Sequence, residues 1–239
     1  MTYNYEGLRA GYYDFDRPGL RKRWHDRKFK TVAREVERAN PDVVIDLGCG
    51  PGVFLRDHCK GAKLKIGFDI SKVQVSYASQ FQDEKTYFVS NISKISEIMK
   101  RNLPQQQLNI TLTSIELIEH ISDEDLNEIV AEINNVLKPF SISNIRCVFT
   151  TPNRNSSWPL IERFIDFLLG TDYRIQHSNL NSNSELKNRL RTLSIHDPEI
   201  FSFLSLSHWL ISKLPLKLYS RATWRGMILL ARFDMKSLR

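Results

Sequence analysis

Asp46 and three glycines, Gly48, Gly50 and Gly52, stand at alternate positions in Val43–Gly52, VVIDLGCGPG. An apolar run of strand type ends in the acid, and the glycines follow as a turn. Glycine lets the main chain turn sharply and approach a ligand with no Cβ in the way. A helix that closes with Asp57 and His58 should follow, the free N–H groups of its start aimed at polar or anionic ligand atoms. A dinucleotide pyrophosphate wants Gly-x-Gly-x-x-Gly at such a turn. Here the third glycine comes one residue early, and the Asp46 carboxylate would repel a pyrophosphate. It suits the ammonium of a zwitterionic amino-acid tail, met directly or through water.

A second acid, Asp69, ends the apolar run Leu64–Phe68, roughly 20 residues beyond the glycines. A carboxylate at that place in nucleotide-binding α/β folds accepts both ribose hydroxyls. Ser71 is a good N-cap for a helix running through Ala78.

The string Asp46-x-Gly48-x-Gly50-x-Gly52, with Asp69 in GFDIS, resembles the motifs of class I S-adenosylmethionine (SAM) methyltransferases. The resemblance covers most of residues 24–153 and, loosely, the end of the chain. It implies an α/β fold: a Rossmann-like seven-stranded sheet with helices on both faces, plus a helical or loop insertion after the fifth strand. It implies SAM as cofactor, held by Asp46, Gly48, Cys49, Gly50, Gly52, Asp69, Ile70 and Ile115. Where the family usually has an acid for the adenine amino group, this chain has Asn91, whose amide oxygen still accepts an N–H. Asn91 equally suits a turn. Many small-molecule methyltransferases carry an N-terminal helix over the cofactor, with a basic residue on the SAM carboxylate. Trp24-His25-x-x-Lys28-Phe29 resembles that segment and gives the role to Lys28 or Arg27.

The fourth strand, Leu108–Thr113, runs into Ser114-Ile115-Glu116-Leu117-Ile118-Glu119-His120. Ligands of open α/β sheets bind beyond the carboxyl ends of the strands, so Ile115 and Glu116 should face the cofactor and the acceptor. E-L-I-E-H resembles the E-x-x-E-H of ubiquinone-pathway O-methyltransferases and of small-RNA 2′-O-methyltransferases, where it is assigned to a divalent metal. On a helix, Glu116, Glu119 and His120 would share one face and offer ligands to Mg²⁺. Glu-His opens this helix in many methyltransferases that hold no metal, and we favour that reading. Thr151-Pro152-Asn153-Arg154, after a fifth strand at Ile145–Thr150, resembles the same two groups. The RNA enzymes' later F-E-W motif is missing, and Pro139-Phe140-Ser141 stands where Pro-Gly-Gly is common.

Other elements must carry these groups. Leu20–Ala39 reads as a helix with Trp24, Phe29, Val32, Ala33 and Val36 as its apolar stripe and a basic first half. Pro41 stops it. Thr86–Val89 is a third strand, Ser93–Arg101 a helix, and Asp123–Leu137 an amphipathic helix with Leu126, Ile129, Val130, Ile133 and Leu137 inward. Trp158–Leu169 has Leu160, Ile161, Phe164, Ile165, Leu168 and Leu169 at helical spacing, with Glu162, Arg163 and Asp166 opposite; it would face the core, lid the site or lie on a membrane surface. Thr171–Asn188 is polar and reads as a loop, Pro198–Leu214 as a helix, and Leu216–Ala222 and Met227–Phe233 as the last strands. His177 and His196 are candidates for the base that takes an acceptor proton.

Composition sets the bounds. The chain of 239 residues reads as one domain: 1–40 an N-terminal helical cap, 41–153 the SAM-binding core, 154–214 a substrate or lid region, 215–239 terminal strands. Cys49, Cys59 and Cys147 have no Cys-x-x-Cys spacing, which excludes a zinc ribbon and fits a cytoplasmic protein. No stretch approaches the ~20 apolar residues of a membrane span, although peripheral contact stays open. A net charge of +7 favours an anionic partner or surface. The chain is thus expected to be a SAM-dependent methyltransferase acting on an oxygen of a small or amphiphilic molecule. Its rivals are an RNA 2′-O-methyltransferase, so nucleic acid stays open as a partner, and a non-catalytic SAM-binding subunit.

Overall fold

The computed structural model describes residues 20–103, 107–169, 179–192, 198–204 and 226–235. Its centre is a sheet of seven strands in the order β3-β2-β1-β4-β5-β7-β6. The strands are β1 (Val43–Leu47), β2 (Leu64–Phe68), β3 (Thr86–Val89), β4 (Leu108–Ile115), β5 (Ile142–Pro152), β6 (Glu199–Phe203) and β7 (Ile228–Met235). The first five run parallel, and β7 is antiparallel to both β5 and β6. The helices are α1 (Leu20–Ala39), α2 (Lys72–Ala78), α3 (Lys94–Asn102), α4 (Asp123–Leu137), α5 (Trp158–Leu169) and α6 (Asn183–Thr192). This is the expected class I methyltransferase sheet. The strand order reverses between β1 and β4, which opens a crevice at their carboxyl ends.

Two apolar layers sandwich the sheet. On one face α3 and α4 bury Ile95, Met99, Leu126 and Ile133 against Ile45, Ile66 and Leu112. On the other, α1 buries Phe29, Val32 and Val36 against Val44, Phe54, Val148 and Leu230. Each such side chain contributes ~1.5–3 kcal/mol on burial. That is enough to dock a helix whose first half is strongly basic. The α1 stripe is the one expected from sequence, and α4 starts where its capping box places it: Ser122 Oγ accepts the Asp125 N–H while the Asp125 carboxylate accepts the Ser122 N–H.

Several expectations are corrected. Residues 116–120 form a bend and turn, not a helix, because Glu116 has a left-handed backbone (φ 56°) and the helix waits for the Ser122 cap. The helix expected to close at Asp57 and His58 is a single π-pitched turn, Phe54–His58, in which Cys59 N–H reaches Phe54 O at 2.9 Å. Part of the expected loop 171–188 is α6, which Ser182 and Glu185 cap reciprocally. The expected helix at Pro198 begins instead as strand β6, paired with β7. The strand expected at 216–222 lies outside the described residues. The face of α5 is turned: Glu162 is buried while Leu160, Phe164 and Phe167 are exposed. Trp158 explains it. Its ring stacks on Trp24 of α1 (centroids 5.7 Å apart), and its indole N–H donates to Glu162, drawing that side of the helix inward.

Candidate active site

The glycine turn leaves β1 with Gly48, Gly50 and Gly52 all at positive φ (71°, 51° and 76°). Side-chain-bearing residues rarely adopt this region. Gly48 and Cys49 N–H both donate to Phe68 O, which fastens the turn to the end of β2. The glycines serve different ends. A Cβ on Gly52 would stand 2.6 Å from the Phe88 ring, and one on Gly48 would press Leu117 at 3.0 Å. A Cβ on Gly50 would meet nothing within 4 Å. The main chain at Gly50 therefore borders open space at the strand ends. Cys49 points inward; burial pushes its thiol well above its ordinary value, so it packs rather than reacts.

Asp46 is buried beneath this turn and accepts the Thr113 hydroxyl at 2.6 Å. Burial dominates its titration and lifts its pKa to about 7; the Thr113 hydrogen bond opposes the rise and the charge of Asp69 adds to it. A buried carboxylate held this far from its usual range is poised to accept a cation. Thr113 was not singled out from sequence. The signal was the parallel register that sets it opposite Asp46, and that pairing exists only once the sheet is assembled.

Asp69 ends β2 and accepts the N–H of Gly50 on Oδ2 and of Ser71 on Oδ1, both at 2.9 Å. Burial raises its pKa and these two bonds hold it down. Beside it Ile70 is 67% exposed, an apolar side chain left for a flat ligand surface. Asn91 after β3 is exposed, and its Oδ1 accepts from Ser93 N–H and Ser93 Oγ–H at 3.0 and 2.8 Å. The turn role thus occupies the very oxygen that was expected to meet adenine.

At the carboxyl end of β4, Ile115 is half-buried and Glu116 follows on its left-handed backbone, its N–H bonded to Thr150 O at 3.0 Å. The Glu116 carboxylate accepts the ammonium of Lys28, a residue 2% exposed that reaches it from α1. The stacked Trp24 and Trp158 lie one helical turn away, so α1 roofs the ends of β4 and the start of α5. Thr150, level with Ile115 in the sheet, has a buried hydroxyl with no hydrogen-bond partner among the described residues. It too was missed from sequence.

The other candidates fall apart or out of view. Glu119 is fully buried, and its Oε1 is 4.0 Å from His120 Nε2. With no helix here, Glu116 does not share a face with them. Among the described residues no three His, Cys, Asp or Glu side chains are grouped to hold a metal. His177 and His196 lie outside the described residues.

The arrangement fits SAM. The buried acid Asp46 suits the ammonium of its amino-acid tail, Gly50 leaves room for its body, and Asp69 with Ile70 offers a carboxylate and an apolar surface to a nucleoside.

Residues 44–140 match the family model described as "Methyltransferase domain". No curated protein sequence matches the chain. Among solved structures, a Thermotoga maritima SAM-dependent enzyme, described as a possible histamine N-methyltransferase, is similar at a TM-score of 0.58 and 14% identity, over 90% of this chain and 94% of that one. An Archaeoglobus fulgidus SAM-dependent methyltransferase is similar at 0.54 and 19% identity, over 88% and 94%. Magnesium protoporphyrin IX methyltransferase from Synechocystis, solved with bound S-adenosylhomocysteine (SAH), is similar at 0.54 and 12% identity, over 94% and 93%. The fold, the glycine turn with its two acids and the domain match agree: residues 44–140 match a methyltransferase domain, and the seven-stranded sheet around them has the fold of class I methyltransferases.

Proposed function

We propose that the chain methylates an oxygen of a small or amphiphilic molecule. The observation that carries this reading is Glu116: a carboxylate at the carboxyl end of β4, beside the glycine turn and under the roof of α1. An oxygen acceptor must lose a proton as it is methylated, and a carboxylate in that place can take it.

SAM supplies an electrophilic methyl on a sulfonium, whose C–S bonding pair returns to sulfur as the acceptor oxygen bonds the methyl. Asp46 holds the tail ammonium, and Asp69 the ribose hydroxyls with the oxygen lone pairs that Gly50 and Ser71 leave open. Gly48, Cys49, Gly50 and Gly52 shape the cradle, Ile70 and Ile115 pack the cofactor, and Asn91, its oxygen taken by Ser93, has only its amide N–H groups to offer a ring nitrogen of adenine. Glu116 accepts the hydroxyl proton of the acceptor. Orientation supplies most of the rate, because methyl transfer needs the acceptor oxygen in line with the C–S bond.

The test is methyl transfer from labelled SAM into a small-molecule extract and, separately, into total RNA. Label on a small molecule whose proton spectrum shows an O–CH₃ group supports the reading. Label found only in RNA would sink it and favour a ribose 2′-hydroxyl, for which the exposed basic residues Arg23 and Lys30 on α1 would serve.

A further inference from the structure

Lys28 is the one Lys or Arg side chain that is fully buried among the described residues. A buried ammonium persists only when a carboxylate neutralises it, and here that carboxylate is Glu116, 88 residues away in sequence. The pair sits against the glycine turn on two sides. Phe29, whose ring lies 5.3 Å from the Lys28 ammonium, packs on Phe54 in the turn after the glycines (centroids 6.0 Å). Leu117, next to Glu116, is the side chain that a Cβ on Gly48 would strike.

The tail of SAM brings two charges into this region. Asp46 answers the ammonium. The tail carboxylate needs a cation, and Lys28 is the buried cation at hand, already engaged by a carboxylate of this chain. We propose that Glu116 is an internal stand-in for the cofactor's carboxylate: Lys28 holds Glu116 in the free protein and passes to the tail carboxylate when cofactor binds. The exchange replaces one carboxylate by another on Lys28, so the buried ammonium is neutralised in both states. Glu116, whose side chain is 22% exposed, is then released to face the acceptor. The proton acceptor is thereby freed only when a methyl donor is in place. Lys28 becomes a positioning residue whose partner reports cofactor occupancy. The inference rests on the methyltransferase reading.

The exchange makes a prediction of sign that a purely structural bridge does not. Glu116 competes with the cofactor for Lys28, so Glu116→Gln should bind SAH more tightly, by roughly three- to tenfold, as expected when a competing state is removed. Lys28→Met should weaken SAH. In the Lys28→Met background, Glu116→Gln should change SAH affinity no further; this double variant also leaves no buried charge unpaired if Lys28→Met alone folds poorly. An SAH analogue lacking the carboxylate should bind the wild type and Glu116→Gln equally. Titration calorimetry reads all four. SAH affinity that is unchanged or weakened in Glu116→Gln would overturn the exchange, as would equal tightening for the analogue. A wild-type chain that binds no SAH would overturn the cofactor reading itself.

Discussion

Asp69 and Gly50 are joined directly: the glycine N–H donates to the carboxylate Oδ2 at 2.9 Å. The acid expected to meet the ribose is therefore also a brace, tying the end of β2 to the middle of the glycine turn. Its other oxygen holds Ser71 N–H, at the cap of α2. One lone pair per oxygen is left for a ligand. On the proposed reading, recognition of the nucleoside and the shape of the turn depend on the same side chain.

Asp69→Ala should consequently fail in two ways. Loss of charge-assisted bonds to the ribose should weaken SAM by ~1.5–3 kcal/mol. Loss of the Gly50 and Ser71 acceptors should also lower the melting temperature by several degrees, at about 2–4 °C per kcal/mol for a domain of this size. Asp69→Asn keeps one acceptor oxygen and should recover part of the stability but little of the affinity. Calorimetry and thermal melts separate the two losses. An Ala variant that melts like wild type would show that the brace contributes nothing.

Asp46 makes stability and binding move in opposite directions with pH. Its folded pKa of about 7 stands above the 3.8 of an ordinary aspartate carboxyl. The folded state thus holds the extra proton between those values, and stability falls as pH rises through that window. The difference corresponds to roughly 4 kcal/mol as an order of magnitude. Asp69, also raised, acts in the same sense. SAM affinity should do the reverse, rising towards pH 7 as Asp46 ionises and levelling above it. Asp46→Asn should melt higher than wild type at pH 8 and bind SAM poorly at every pH. A variant less stable than wild type at pH 8 would contradict the buried-acid account.

The glycines should divide by what surrounds them. Gly50→Ala places its methyl in open space, so the folded state bears only the left-handed backbone, at ~1–2 kcal/mol. The methyl would intrude into the space proposed for the cofactor, and SAM binding should be lost from a protein that still folds. Gly52→Ala adds a clash with the Phe88 ring and the Ala78 methyl to the same backbone strain. It should be the more destabilised of the two. Expression yield, melting temperature and SAH titration distinguish them. Equal stability of the two variants would refute the division.

Local signals made much of this fold readable. α1, α4 and α5 have the expected bounds because Pro41, Ser122 and their 3.6-residue apolar spacing act within a few residues. The glycine turn and Asp69 were equally plain, since the chain must turn there whatever lies elsewhere. What failed depended on distant partners. The strand β6 exists because β7, far along the chain, pairs with it. The Lys28–Glu116 pair, the Thr113–Asp46 bond and the Trp24–Trp158 stack behind the inward turn of Glu162 each join groups that only the assembled fold brings together. α6 is different. Its Ser182–Glu185 capping box was present in sequence but hidden by the polar run around it, with only Leu186 and Leu190 buried.

The last prediction concerns divalent metal. Glu116, Glu119 and His120 would make a site by sharing a helix face, but the segment is a turn and the Glu116 carboxylate is held by Lys28. Glu119 is fully buried, and its backbone carbonyl accepts the Asn179 N–H at 3.1 Å, so it anchors the approach to α6. Methyl transfer should therefore be insensitive to EDTA and gain nothing from Mg²⁺ or Mn²⁺. Glu119→Gln should act on folding, because it turns one acceptor oxygen of a fully buried side chain into an N–H donor, at a cost of about 1–3 kcal/mol. SAM affinity should stay near that of wild type. One EDTA titration of methyl transfer, with melting temperature followed in parallel, gives the answer. Activity abolished by chelator and restored by Mg²⁺, with the melt unchanged, would defeat this prediction. It would also mean that Lys28 releases Glu116 to a metal rather than to an acceptor hydroxyl.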